Sequence, residues 1–254
     1  MTDMSSAADS TPPVVLITGA AKRVGARIAR ELHLAGAGLL LHYRSSRGQA
    51  EALAAELNAE RPGSCSCLQA DLCDAAALPA LVAAAIERAG RLDALVNNAS
   101  SFFPTPVGSI DEAAWNELIG SNLKGPLFLS QAAAPHLKAA GGAIVNITDI
   151  HAEWPLKNYP LYCAAKAGLL GLTRALALEL APEVRVNAVA PGPIAWPEDG
   201  AFDAEARAEI VRRTPLGRVG DPVDIARTVR FLLFDAPFVT GQVINVDGGR
   251  STRL

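Results

Sequence analysis

Tyr162 and Lys166 stand four residues apart inside the apolar run Leu161 to Leu180. A helix there puts both side chains on one face, where their heads can approach a single ligand. Tyrosine ordinarily ionises near about 10, and a close ammonium stabilises the phenolate, making the phenol usable as a proton donor or acceptor near neutrality. The bland alternative is an exposed i, i+4 pair without chemistry. Thirteen residues before the tyrosine lies Asp149. An ionised carboxylate only accepts hydrogen bonds: it can orient the phenol or accept from an N–H-rich heterocycle, but it repels a carbonyl oxygen gaining negative charge.

A second group is the run Thr18-Gly19-Ala20-Ala21-Lys22-Arg23-Val24-Gly25, where a β-branched stretch passes straight into a helical pattern. That context aims backbone N–H groups at a phosphate and marks a dinucleotide site; the alternative is a turn that needs small residues only for packing. Gly25 is followed by Ala26 and Arg27, not by Lys and Ser or Thr, which disfavours a nucleotide P-loop. An acidic residue ending the second strand would accept from the adenosine ribose and select NAD. The sequence there is His42-Tyr43-Arg44-Ser45-Ser46-Arg47, and a guanidinium flanked by hydroxyls suits a ribose 2′-phosphate, so NADPH is the expected cofactor. Lys22 and Arg23 either add positive charge beside the same phosphates or are solvated surface cations. Asp71, after the third strand, either accepts from the adenine amino group or caps a helix.

The elements that must position these groups alternate in type. Short apolar runs (Val14 to Thr18, Leu39 to Tyr43, Ser66 to Ala70, Ala94 to Asn97, Ala143 to Thr148, Val184 to Ala190, Gln242 to Val246) are separated by helical patterns. The helices are expected over Arg23 to Leu34, Gln49 to Asn58, Ala75 to Arg88, Glu112 to Ala140, Leu161 to Leu180 and Pro222 to Phe234. Continuous apolar strands joined by helices predict a single α/β domain: a doubly wound, mostly parallel sheet of seven strands with helices on both faces. Residues 1–12 read as a flexible polar tail and residues 13–254 as the domain. Within it Pro191 to Arg213, rich in Pro, Gly and acidic residues, forms a loop or short helices over the sheet edge, of the kind that often serves as a lid.

Composition narrows the function classes. With 254 residues, half of them hydrophobic, and a net charge of −3 with both signs interspersed, the chain has no basic stripe for nucleic acid and no polybasic segment for anionic lipid. Apolar stretches such as Leu78 to Ile86 fall short of the ~20 residues of a membrane span, and the N-terminus lacks the pattern of a secretory signal. Cys65, Cys67, Cys73 and Cys163 lack the paired spacing of a zinc site and are too few for a disulfide scaffold. A soluble protein of a reducing cytoplasm, without a bound metal, is the expectation.

Taken in order, the turn from Thr18 to Gly25, Asn97-Asn98-Ala99, Asn122, Asp149, Tyr162 to Lys166 and Pro191-Gly192 resemble the short-chain dehydrogenase/reductase family from about Pro13 to Gly249. The resemblance implies that Tyr162 donates the proton, that Lys166 lowers its pKa and binds the nicotinamide ribose, that Asn122 holds a proton-relay water, and that Asn97 supports the central fold. It also implies a cofactor site made of Gly19, Lys22, Arg23, Val24 and Gly25; of His42, Tyr43, Arg44, Ser45 and Ser46; of Asp71 and Leu72; of Asn98, Ala99 and Ser100; and of Lys166, Pro191, Gly192 and Ile194.

The family usually carries Ser where this chain has Asp149. That departure, Arg23 in place of the usual middle glycine, and the run Asn98-Ala99-Ser100-Ser101-Phe102 are similar to pteridine reductases. In that subfamily Phe102 would sandwich a flat pterin against the nicotinamide, Ser100 and Arg23 would hydrogen bond near cofactor and pterin, and Tyr162 with Asp149 would protonate a ring nitrogen. The substrate is then a reduced pterin or folate and the assembly, as is common in the family, a homotetramer. Phe102 is alternatively a core aromatic; Trp196 and Glu198 either close over substrate or pack in their loop; His151 either serves as acid or base or bonds a loop. Rival functions are an NADPH-dependent reductase of 3-ketoacyl or small ketone substrates, and a non-catalytic NADP-binding sensor.

Overall fold

The four side chains of the first strand are all buried, as a strand covered on both faces requires. The computed structural model describes residues 11–196 and 203–252. In chain order these form β1 (Val14–Ile17), α1 (Arg23–Leu34), β2 (Gly38–Tyr43), α2 (Arg47–Glu60), β3 (Cys65–Gln69), α3 (Leu78–Ala89), β4 (Ala94–Asn97), α4 (Glu112–Ile119), α5 (Gly125–Ala140), β5 (Ala143–Ile147), α6 (Pro160–Glu179), β6 (Arg185–Pro191), α7 (Ala204–Arg212), α8 (Pro222–Arg230) and β7 (Val243–Val246). The strands make one sheet in the order β3-β2-β1-β4-β5-β6-β7, parallel at every pairing. This is the expected Rossmann-type α/β domain.

Strand alternation divides the core into two layers. Val15 and Ile17, Leu39 and Leu41, and Val145 and Ile147 pack against α1, α2 and α8. Val14, Leu16, Leu40 and Ile144 face the other way, onto α3 and α5. Successive strand residues point to opposite faces, so an all-apolar strand feeds both layers. Because β1 pairs with β2 on one side and β4 on the other, strand order reverses between β1 and β4. The crevice at their carboxyl ends is where ligands of open α/β sheets bind.

Three expectations need correction. The helix expected from Glu112 to Ala140 is broken by a wide π-type turn over Gly120–Lys124. There the Asn122 side chain, not a main-chain N–H alone, donates to the Leu118 carbonyl at 2.9 Å, and such bulges recur at functional sites. The last long helix stops at Arg230 and continues as a π turn over Phe231–Asp235. Finally, α6 is 20 residues long and apolar enough to cross a membrane, contrary to the reading that every apolar stretch is too short. Half of that span is buried within the domain, Lys166 included, as in a core helix of a sheet-covered fold. The 191–213 segment contains α7, and its central residues, like the N-terminal ten, lie outside those described.

Candidate active site

The turn after β1 is shaped by two glycines. Gly19 adopts a φ of +61°, and a Cβ there would meet the Ala99 backbone at 2.9 Å. At Gly25 a Cβ would lie 2.3 Å from the Gly19 carbonyl oxygen, so only glycine lets the first turn of α1 pack this closely. The Thr18 hydroxyl accepts from Asn98 N–H at 2.9 Å and Ala99 N–H at 3.0 Å. Asn98 Nδ2 returns bonds to the Thr18 and Gly19 carbonyls. The Asn98-Ala99 segment is therefore the clamp that holds the turn open. Asn97 supports the sheet beneath it through Asn146 Oδ1 at 2.8 Å and Ser130 Oγ at 3.2 Å.

The N-terminus of α1 has no side-chain cap and no acidic residue in its first turn. Its orphan N–H groups and the positive end of the helix dipole face the cavity, an arrangement that receives a phosphate. Arg23 sits in this turn at a φ of +53°, costing roughly 1–2 kcal/mol for a residue with a Cβ, and its Nη2 donates to the Ala195 carbonyl at 3.2 Å. The start of α2 is likewise uncapped by Ser46, leaving that hydroxyl for a ligand. Arg44 lies beside it, with Nε and Nη2 lacking a partner among the described residues.

A cavity of about 430 Å³ joins these parts. Its walls include every cofactor residue expected from the sequence: the turn, residues 42–46, Asp71 and Leu72, Asn98 to Ser100, Lys166, Pro191, Gly192 and Ile194. Ala21, Ser101, Ser121, Ile147 and Thr148 also line it and were missed, although most adjoin residues singled out by motif. His42, expected among the cofactor residues, lines the cavity and also braces the turn. His42 accepts from Gly19 N–H through Nδ1 at 3.3 Å and donates from Nε2 to the Ala70 carbonyl at 3.1 Å. Burial pushes its pKa down to about 4, so it is a neutral strut under the turn and supplies no cation. Asp71 Oδ1 accepts from Cys73 N–H at 2.9 Å, while the cap of the next helical turn is Asp74.

The half expected to be catalytic is built where β5 ends beside α6. Asp149 uses one carboxylate oxygen to accept from His151 N–H at 2.8 Å and the other to accept from the Tyr162 hydroxyl at 2.7 Å. Lys166, 2% exposed, donates to the Ile147 carbonyl at 2.9 Å, and its Nζ lies 5.7 Å from the centre of the Tyr162 ring. Its other two N–H donors have no partner among the described residues. The expectation that Lys166 lowers the Tyr162 pKa is not met by the protein alone: burial and the facing Asp149 carboxylate push that pKa well above the usual value. A raised pKa keeps the phenol neutral, as a proton donor must be. Burial lowers Lys166 to about 8, with Asp149 opposing the shift.

Asn122, in the π turn, donates to the Ser101 carbonyl at 2.9 Å, and its buried Oδ1 has no partner. A buried acceptor left open in this way fits a relay water. Phe102 stands outside the cavity walls, stacked on Tyr159 at 4.5 Å and edge-on to Tyr162 at 4.8 Å. At least part of its surface therefore serves the aromatic cluster, and the expected stacking face is not open on both sides. Trp196 also lies outside the walls, with the Arg207 guanidinium 5.3 Å from its ring centre; Glu198 is outside the described residues. His151 donates from Nδ1 to the Trp154 carbonyl at 2.8 Å, a loop bond.

The fold is of the Rossmann type that dinucleotide-dependent oxidoreductases use, and Asp149, Tyr162 and Lys166 line one cavity with the turn after β1. Comparison with known proteins gives the same class. Residues 19–251 match the family model described as enoyl-(acyl carrier protein) reductase. The chain is 39% identical to pteridine reductase 1 of Leishmania tarentolae, over 95% of this chain and 97% of that protein. It is 38% identical to an uncharacterized oxidoreductase of Methylorubrum extorquens, over 93% and 96%. It is 37% identical to the 3-oxoacyl-[acyl-carrier-protein] reductase FabG of Staphylococcus aureus Mu50, over 92% and 96%. The protein belongs to the short-chain dehydrogenase/reductase family.

Proposed function

We propose that the protein is an NADPH-dependent pteridine reductase that reduces a ring C=N of a dihydropterin or dihydrofolate. The observation that carries this reading is the 2.7 Å bond from the Tyr162 hydroxyl to Asp149. Where carbonyl reduction calls for a second hydroxyl donor, this site holds a carboxylate, which suits a substrate that presents N–H groups. The identity to a pteridine reductase over nearly the whole chain supports it.

Lys22, Arg23 and Val24 at the start of α1 would hold the cofactor pyrophosphate, Arg44, Ser45 and Ser46 the 2′-phosphate, Asp71 and Leu72 the adenine, and Pro191 to Ile194 the nicotinamide. When bound, NADPH supplies the hydride. Lys166, with two free donors, binds the nicotinamide ribose hydroxyls. Tyr162 gives its hydroxyl proton to the ring nitrogen, and Lys166 restores that proton through a water held by the open Asn122 acceptor. Asp149, its second oxygen fixed by His151 N–H, orients the phenol and accepts from the heterocycle. Ser100, Arg23 and Phe102 border the substrate end. We place the enzyme in the cytoplasm as a homotetramer; the exposed Phe128 on α5 and Leu178 on α6 support an assembly through those helices.

A second reading, reduction of a 3-ketoacyl thioester with Tyr162 alone bound to the oxygen, is favoured by the 37% identity to the staphylococcal 3-oxoacyl reductase. Asp149→Ser separates the two. On the pterin reading this variant loses pterin turnover and gains or keeps thioester turnover; retention of pterin turnover would remove the role given to Asp149.

A further inference from the structure

Behind the cavity wall that carries Arg44, one carboxylate gathers donors from three parts of the fold. Glu117, near the end of α4, accepts from Arg44 Nη1 at 2.9 and 3.0 Å. It accepts as well from the Ser101 hydroxyl, and the Cys73 thiol lies 4.0 Å from its second oxygen. Asp71 Oδ1 is a further 4.0 Å from the same Arg44 nitrogen. Arg44 and Ser101 line the cofactor cavity; Glu117 does not. Its main-chain carbonyl accepts from the Ser121 hydroxyl at 2.7 Å, while the carboxylate itself is held by Arg44 and Ser101.

A guanidinium is a rigid planar fork, so fixing one corner fixes the plane of the remaining donors. Arg44 is otherwise a long side chain about half exposed, with many rotamers of similar energy. Holding Nη1 leaves the Nε–Nη2 edge for a bidentate bond to a phosphate. The Glu117 charge also repels a phosphate dianion, but it lies beyond the guanidinium in a solvated, salt-screened position, and the loss of disorder at Arg44 outweighs it.

We propose that Glu117 is a specificity-determining positioning residue: it grips Nη1 of Arg44, with Ser101 bracing the carboxylate, so that the free edge of Arg44 meets the cofactor 2′-phosphate. This rests on the reading of Arg44 as the group that recognises that phosphate. Fluorescence titration of the full-length protein with NADPH and with NADH gives dissociation constants for the wild type, Glu117→Ala, Glu117→Gln and Arg44→Ala. Glu117→Ala raises the NADPH constant about tenfold and leaves the NADH constant nearly unchanged, while Glu117→Gln, which keeps one acceptor, costs about threefold. Arg44→Ala costs NADPH binding tenfold or more on the same scale. If Arg44→Ala weakens NADPH but the Glu117 variants leave it unchanged or tighter, the role of Glu117 is overturned and that of Arg44 stands. Equal losses for both cofactors in Glu117→Ala overturn it in favour of a folding role. An unchanged NADPH-to-NADH ratio in Arg44→Ala removes the underlying reading together with the proposal.

Discussion

Lys166 is a charge buried at a cost to the fold. Its pKa falls from 10.5 to about 8, which corresponds to about 3 kcal/mol of destabilisation at neutral pH. Replacing it by Met removes that penalty and keeps the apolar stem, but it gives up the bond to the Ile147 carbonyl, worth about 1 kcal/mol. The net gain is about 1–2 kcal/mol, or roughly 3–6 °C in Tm for a chain of this size. The pH dependence follows from the same shift. Between about 8 and 10.5 the unfolded chain binds more protons at this lysine than the folded one does, so wild-type stability rises with pH across that window. The advantage of Lys166→Met is therefore full below about pH 8 and fades as pH approaches 10.5. Differential scanning fluorimetry of both proteins from pH 7 to 10 measures it, beside a turnover assay in which the variant is inactive. A variant less stable than wild type at pH 7, or one whose advantage is independent of pH, refutes the reasoning.

Tyr162→Phe retains NADPH binding and loses most turnover, checked by titration and steady-state rates; unchanged kcat would end its role as proton donor. His42, held neutral with a pKa of about 4 against 6.5 in the unfolded chain, makes the wild type lose stability as pH falls from about 6.5 to 4, by up to about 3 kcal/mol. His42→Gln flattens that decline in a Tm-against-pH series. Arg23→Gly relieves the left-handed backbone at φ +53° and raises Tm by about 2–4 °C, while weakening NADPH binding through loss of the guanidinium; a lower Tm would show that the Ala195 contact matters more than the strain.

The sheet was legible because parallel strands covered on both faces read as unbroken apolar runs, and Val14–Ile17 and Ala94–Asn97 fall where those runs lie. The tight turn after β1 was legible because Gly19 and Gly25 each answer a local steric demand. What escaped depends on contacts between distant elements. The break in the Glu112 to Ala140 pattern comes from the Asn122 side chain bonding Leu118 and Ser101, which no periodicity displays. His42 became a strut because Gly19 and Ala70 meet its two nitrogens. The direction of the Tyr162 shift follows from burial of the phenol and from Asp149 facing its hydroxyl, which the four-residue spacing does not display. Glu117 carries no motif, since its partners come from the segments after β2, β3 and β4.

The central claim is the pairing of a pterin-type substrate with the Tyr162–Asp149 site. Purified protein is assayed for NADPH oxidation at a single pH with dihydrobiopterin, with dihydrofolate and with a 3-ketoacyl thioester. Turnover that depends on the pterin or folate and greatly exceeds that with the thioester is the predicted result; turnover with the thioester alone would contradict the pterin reading.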